Sequence, residues 1–81
     1  MGRFYFHLQD GGELIPDLEG TDLPNCDAAR QEALQSAREI LSDAIRAGKP
    51  KTPEAFVIAD EAGRMLDILP LAVVLPDRWK K

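Results

Sequence analysis

Residues 27–47 read DAARQEALQSAREILSDAIRA. At about 100° per residue, Ala29, Ala33, Leu34, Ala37, Ile40, Leu41, Ala44 and Ile45 fall within one arc of roughly 160°, and Gln31, Glu32, Gln35, Glu39, Ser42 and Asp43 fall outside it. The spacing therefore predicts one amphipathic helix with a single core face. Both ends carry stop signals. Asn25 or Asp27 supplies an N-cap oxygen for an orphan backbone N–H, and Gly48 followed by Pro50 closes the last turn. The N-terminal half of the arc is mostly alanine and the C-terminal half carries Ile and Leu, so the backbone approaches its neighbour more closely at the start. Arg30 breaks the arc near the first turn, where a cation opposes the helix dipole. It needs a carboxylate, and the acidic stretch before the helix offers Asp17 or Glu19 for a structural ion pair.

On the N-terminal side, Arg3-Phe4-Tyr5-Phe6-His7-Leu8 alternates, with Phe4, Phe6 and Leu8 on one face and Arg3, Tyr5 and His7 on the other. Asp10-Gly11-Gly12 tolerates positive φ and turns this strand back into Glu13-Leu14-Ile15, after which Pro16 ends the pairing. Residues 17–25 read as a connecting loop with a short extended piece near Thr21-Leu23. After the helix and a Pro-broken linker, Lys49 to Pro53, come Ala55-Phe56-Val57-Ile58-Ala59, the turn Asp60-Glu61-Ala62-Gly63 and Arg64-Met65-Leu66-Asp67-Ile68-Leu69. The expected class is α+β, a small ββαββ domain over residues 1–75 with one helix on one face of a mainly antiparallel sheet. A short basic tail, 76–81, follows.

One helix covers one sheet face only. Alternation places Phe56, Ile58, Leu66 and Ile68 toward the helix, and Val57, Ala59, Met65 and Leu69 on the far face beside Tyr5 and His7. Pro70-Leu71-Ala72-Val73-Val74-Leu75-Pro76 is too apolar for a free tail, and Trp79 adds a large ring. This segment either folds back over the sheet or docks on another chain.

Composition narrows the function. With 81 residues the chain holds one core and buries roughly 60–65% of the surface its unfolded form exposes. Its 44% hydrophobic and 30% charged residues are globular values, and it has no apolar run of membrane-spanning length and no signal-peptide core behind Arg3. No membrane association and a cytoplasmic location are expected. A net charge of −4 disfavours generic nucleic-acid binding, although Arg78-Trp79-Lys80-Lys81 has residues that touch phosphates; a solubilising tail is the simpler reading. Single Cys26 and single His7 allow no intrachain disulfide and no zinc cluster.

The remaining chemical readings fail on spacing. Twelve-position calcium loops counted from Asp10 or Asp17 end on Thr21 or Ala28, where a bidentate carboxylate is required. Gly11-Gly12 belongs to no phosphate loop, and Ser36 and Ser42 lie on the polar helix face without a His or Asp placed beside them. His7 reads as an interface or surface histidine rather than a general base, because no second catalytic group accompanies it. Cys26 lies on the extended apolar arc and reads as a buried small hydrophobe rather than a thiol activated by the helix N-terminus. No catalytic, cofactor-binding or metal-binding residue is expected, and no cofactor.

Taken together, Arg3-Phe4-Tyr5-Phe6-His7-Leu8 with Asp10-Gly11, Asp17-x-Glu19-Gly20-Thr21, Asp27-Ala28-Ala29-Arg30-x-Glu32-Ala33 and Asp60-Glu61-x-Gly63-Arg64 resembles a family of small bacterial proteins of rhizobial type, known only as a domain of unknown function. The likeness runs to about Leu71 and implies a ββαββ domain with no activity to carry over. A second resemblance, from Phe4 to Leu41, is to the HicB-type antitoxin domain. There, a stretch like Ile15-Pro16-Asp17-Leu18-Glu19-Gly20 precedes a helix bearing Glu32-Ala33-Leu34. That likeness implies binding of a small toxin and oligomerisation, although Glu19 stands where a second proline is usual.

These readings converge on a non-enzymatic protein-interaction module, homodimeric or bound to another small protein. Its contact surface would comprise Tyr5, His7, Val57, Met65, Leu69, Val73, Val74 and Trp79. The competing expectation is an antitoxin-like or nucleic-acid-associated regulator.

Overall fold

A computed structural model describes residues 2–76; Trp79 and the basic residues around it lie outside the described residues. Five strands and one long helix follow in the order β1 (Gly2–Asp10), β2 (Glu13–Ile15), β3 (Thr21–Leu23), α1 (Cys26–Ala47), β4 (Ala55–Ala59) and β5 (Met65–Pro70), and a 3-10 turn, Leu71–Val74, closes the chain. All pairings are antiparallel, in the order β2-β1-β4-β5. The ββαββ frame is thus present, with a third short strand at Thr21–Leu23. β2 and β3 share one edge of β1, β2 along Leu8–Asp10 and β3 along Gly2–Phe4.

Local chemistry sets the ends of each element. Asn25 Oδ1 accepts the Ala28 N–H at 2.8 Å, which caps the helix start, and Gly48 at φ 68° ends it with its N–H on Ala44 and Ile45 carbonyls. Gly11 and Gly12, at φ 60° and 88°, form the two-residue turn between β1 and β2, a conformation that L side chains adopt at a penalty. At the second hairpin, Asp60 Oδ1 accepts the Ala62 and Arg64 N–H groups while its Oδ2 meets Arg64 Nε at 2.9 Å.

Ala29, Ala33 and Ala37 press the helix onto Phe4, Phe56, Ile58 and Leu69, with Phe6, Leu8, Leu23, Leu34, Ile40 and Leu41 around them. With no side-chain bulk at 29, 33 and 37, the helix backbone comes close to the sheet. Ile45 departs from the expected arc and is 61% exposed at the helix end. The Leu71–Val74 turn does not lie over the sheet. Leu71 is buried and packs with Val74 against α1 in the same chain, which leaves Val73 exposed.

Two expectations about side-chain direction are corrected by a bulge in β5. Ile58 pairs with Asp67 and Ala59 with Met65, so Leu66 is an extra residue. Up to that point the alternation holds: Met65 lies with Ala59 and Tyr5 on the far face, and Leu66 lines a helix-side cleft. Beyond it the phase reverses. Leu69 turns into the core, and Ile68 faces outward beside Val57 and His7.

The Arg30 expectation is also corrected. Its guanidinium meets Asp67 on β5 at 2.6 Å, not Asp17 or Glu19. The bulge brings Asp67 to the helix face, opposite the first helical turns. Because both partners are nearly half exposed, Arg30→Ala is expected to lower stability by less than about 1 kcal/mol, measurable as a small shift of the urea midpoint.

Candidate functional site

The sheet face opposite the helix carries three rows of residues that run across the strands. Tyr5, Ala59 and Met65 form one, His7, Val57 and Ile68 the next, and Gln9, Ala55 and Pro70 the third. Leu14 extends the third row, since the two-residue turn sets Gln9 opposite Leu14. No secondary-structure element among the described residues packs over this face. Met65, Leu14 and Ile68 remain 61%, 54% and 46% exposed, whereas Ala55 and Ala59 are recessed between larger neighbours.

One border of the face is built by Asp17. Between the stretches of β1 paired with β3 and β2, the Phe6 N–H has no strand partner on that edge, and Asp17 Oδ2 accepts it at 3.1 Å. The other carboxylate oxygen takes the Glu19 and Gly20 N–H groups, and the Asp17 N–H donates to His7 Nδ1 at 3.0 Å. His7 Nδ1 is the acceptor of that bond, and its ring stacks on Tyr5 at a centroid distance of 6.3 Å. Gly20, at φ 72°, lets the loop lie against β1, since a Cβ there would sit 2.8 Å from Arg3 Cγ and 2.9 Å from the Tyr5 ring. Leu18, in the same loop, is 85% exposed.

Partial burial raises the Asp17 pKa, but the Phe6, Gly20 and Glu19 N–H groups and the potential of His7 outweigh it, and its carboxyl lies below the usual range. The Arg3 guanidinium similarly lowers Asp22, its cross-strand partner, through paired bonds of 3.0 and 3.2 Å. Arg3 and Asp22 are the only charged strand residues on this face among the described residues.

The open edge of β5 is also closed to pairing. From the Leu71 N–H bond to the Glu54 carbonyl, the alternation of the ladder turns the Ile68 N–H outward, where Asp67 Oδ1 accepts it at 2.9 Å. Pro70 removes the next outward donor.

Of the expected contact residues, Tyr5, His7, Val57 and Met65 come together on this face. Leu69 does not, because it is in the core; Val73 and Val74 belong to the turn packed on α1, and Trp79 lies outside the described residues. Alternation alone missed Leu14, Leu18 and Ile68. Leu14 was accessible from the turn, which fixes its register opposite Gln9. Asp17 carried a signal as well, since an Asp two and three residues before backbone donors is an Asx turn ending on glycine.

Cys26 is exposed rather than buried, beside a cleft of about 240 Å³ lined also by Ala29, Arg30, Leu66 and Asp67. A second cleft, about 350 Å³, lies between the end of α1 and the 3-10 turn, with Leu41, Ile45, Val74 and Leu75 as its apolar wall and Arg38 and Arg46 beside it. Among the described residues no group of three or more His, Cys, Asp or Glu is placed to hold a metal, and no helix is long and apolar enough to cross a membrane.

The fold and this surface define a small α+β domain with one sheet face covered by a helix and the other left apolar. The chain belongs to the family described as a domain of unknown function, DUF6894, which it matches over residues 3–72. No curated protein and no solved structure matches it.

Proposed function

We infer that this domain is a non-enzymatic protein-interaction module of the cytoplasm that binds through the sheet face opposite the helix. The observation that carries the reading is the exposure of Met65, Ile68 and Leu14 on a face over which no helix or strand among the described residues packs. Contiguous apolar surface rimmed by polar groups is the usual mark of a protein contact. Two further features support it. The His7 Nδ1 lone pair is already engaged by the Asp17 N–H, and Cys26 has beside it a cation and a carboxylate already paired with each other, Arg30 and Asp67.

Salt dependence tests the reading against a nucleic-acid-associated or antitoxin-like regulator. Association through apolar side chains is expected to persist from low salt to about 1 M, and labelled duplex and single-stranded oligonucleotides are expected to show no change in fluorescence anisotropy. Oligonucleotide binding that weakens steeply with salt would overturn the module reading in favour of the regulator.

A further inference from the structure

We propose that the occupant of the uncovered face is a second copy of this chain, docked sheet face to sheet face about a two-fold axis. The proposal rests on the module reading above and names its partner. Three features of the face point to self-docking.

The first is charge. The chain carries a net −4, yet on this face the only charged strand residues among those described, Arg3 and Asp22, neutralise each other through a bidentate contact. Among the strand residues of the face a partner thus meets no unpaired charge; the carboxylates of Asp17 and Glu19 stand in the loop at its border.

The second is the state of the strand edges. Addition of a strand from another chain needs a row of free N–H and C=O groups. On β5, Asp67 takes the Ile68 N–H and Pro70 offers none. On the other side the edge is split between two three-residue strands, and Asp17 plugs the gap. Contact is thereby directed to side chains on the face, where sheets pack about 10 Å apart.

The third is symmetry. The His7–Val57–Ile68 row crosses the middle of the face. A two-fold axis along that row lays the row on its own copy. It also places the Tyr5–Ala59–Met65 row over Gln9–Ala55–Pro70 of the other chain and the Leu18 loop over Leu14. Val57 and Ile68 then meet their own copies and Ala59 and Met65 meet Ala55 and Pro70, while His7 meets His7 and Tyr5 meets Gln9; the projecting Met65 and Leu14 lie at the borders with the recessed alanines between them. A self-complementary patch of this kind satisfies an isologous dimer.

Cys26 supplies the test, because it is the sole cysteine, it is exposed, and it begins the helix on the side of the sheet away from the proposed contact. With a nitroxide on Cys26, pulsed dipolar spectroscopy of the full chain is expected to give a distance of about 26–30 Å, the sum of about 10 Å between sheets and about 8–10 Å for each helix layer. Ile68→Glu is expected to abolish the dipolar signal while leaving the native circular-dichroism spectrum unchanged, and Leu14→Glu, at the border, to weaken the signal. A wild type without dipolar signal would overturn self-docking alone. Well-defined coupling below about 20 Å would mean that the helices face each other, which overturns both self-docking and the module reading. An undiminished signal in a folded Ile68→Glu protein would overturn both as well.

Discussion

Leu69→Ala is expected to destabilise the protein by about 2–5 kcal/mol, while the same truncation next door, Ile68→Ala, removes less than about 1 kcal/mol. Leu69 is 1% exposed and packs among Phe56, Ala33, Ala37 and Leu71, so its loss leaves a cavity lined by groups that close helical packing holds apart. Ile68 is nearly half exposed on the opposite face. For a chain of this size total stability is about 4–12 kcal/mol, so Leu69→Ala is expected to populate the unfolded state measurably at room temperature. Urea denaturation of the two variants under dissociating conditions measures the contrast. Equal losses, or a larger loss at Ile68, would contradict the bulged register of β5.

Asp17→Ala is expected to lower stability by about 2–4 kcal/mol, because hydrogen bonds to a charged acceptor are worth more than neutral ones and three backbone donors lose their acceptor together. The Phe6 N–H is the most damaging of the three, since it sits in the middle of β1, partly buried, with no strand beside it. Asp17→Asn retains one carbonyl acceptor and is expected to lose less. The pH dependence follows from the lowered carboxyl. Its folded pKa lies below its unfolded one, so its contribution is complete above the usual carboxylate range and is lost as pH falls through that range toward the folded value. Urea midpoints from neutral pH down to about pH 3 should therefore fall more steeply in the wild type than in Asp17→Asn. Parallel curves would remove the ionised carboxylate from the explanation.

The readable parts of this chain are those fixed by neighbours in sequence. Asn25, Gly48 and the period of alanine and leucine placed the helix to within one residue, because capping and amphipathicity act over one or two turns. The glycine turns at 11–12 and 63 placed both hairpins for the same reason. The alternation of β5 was readable only as far as Leu66, since a bulge is a property of a strand pair and leaves little trace in one strand. Ile68 and Leu69 were consequently exchanged. Arg30 was correctly taken as a residue in need of a carboxylate, but proximity in sequence favoured Asp17, whereas the fold supplied Asp67 from 37 residues away. Asp17 was free to do something local instead, at the broken edge of β1. Cys26 was misplaced by extending the apolar arc one turn too far, to an exposed position beside the cleft that Leu66 and Asp67 line. That no second helix lies over the far face was legible from element count alone, and the borders of that face at Leu14, Leu18 and Ile68 required the register.

The most direct test of the covered sheet face compares two methyl-bearing residues of equal exposure in the single chain. Met65, on the face, and Ile45, at the end of α1, are each 61% exposed. Relaxation of their methyl protons by a soluble paramagnetic probe reports which of them water reaches in the assembled protein. Strong relaxation at Ile45 with protection at Met65 and Ile68, lost on dilution, is the expected result. Equal relaxation at Met65 and Ile45 at every protein concentration would contradict it and leave the sheet face an ordinary solvent surface.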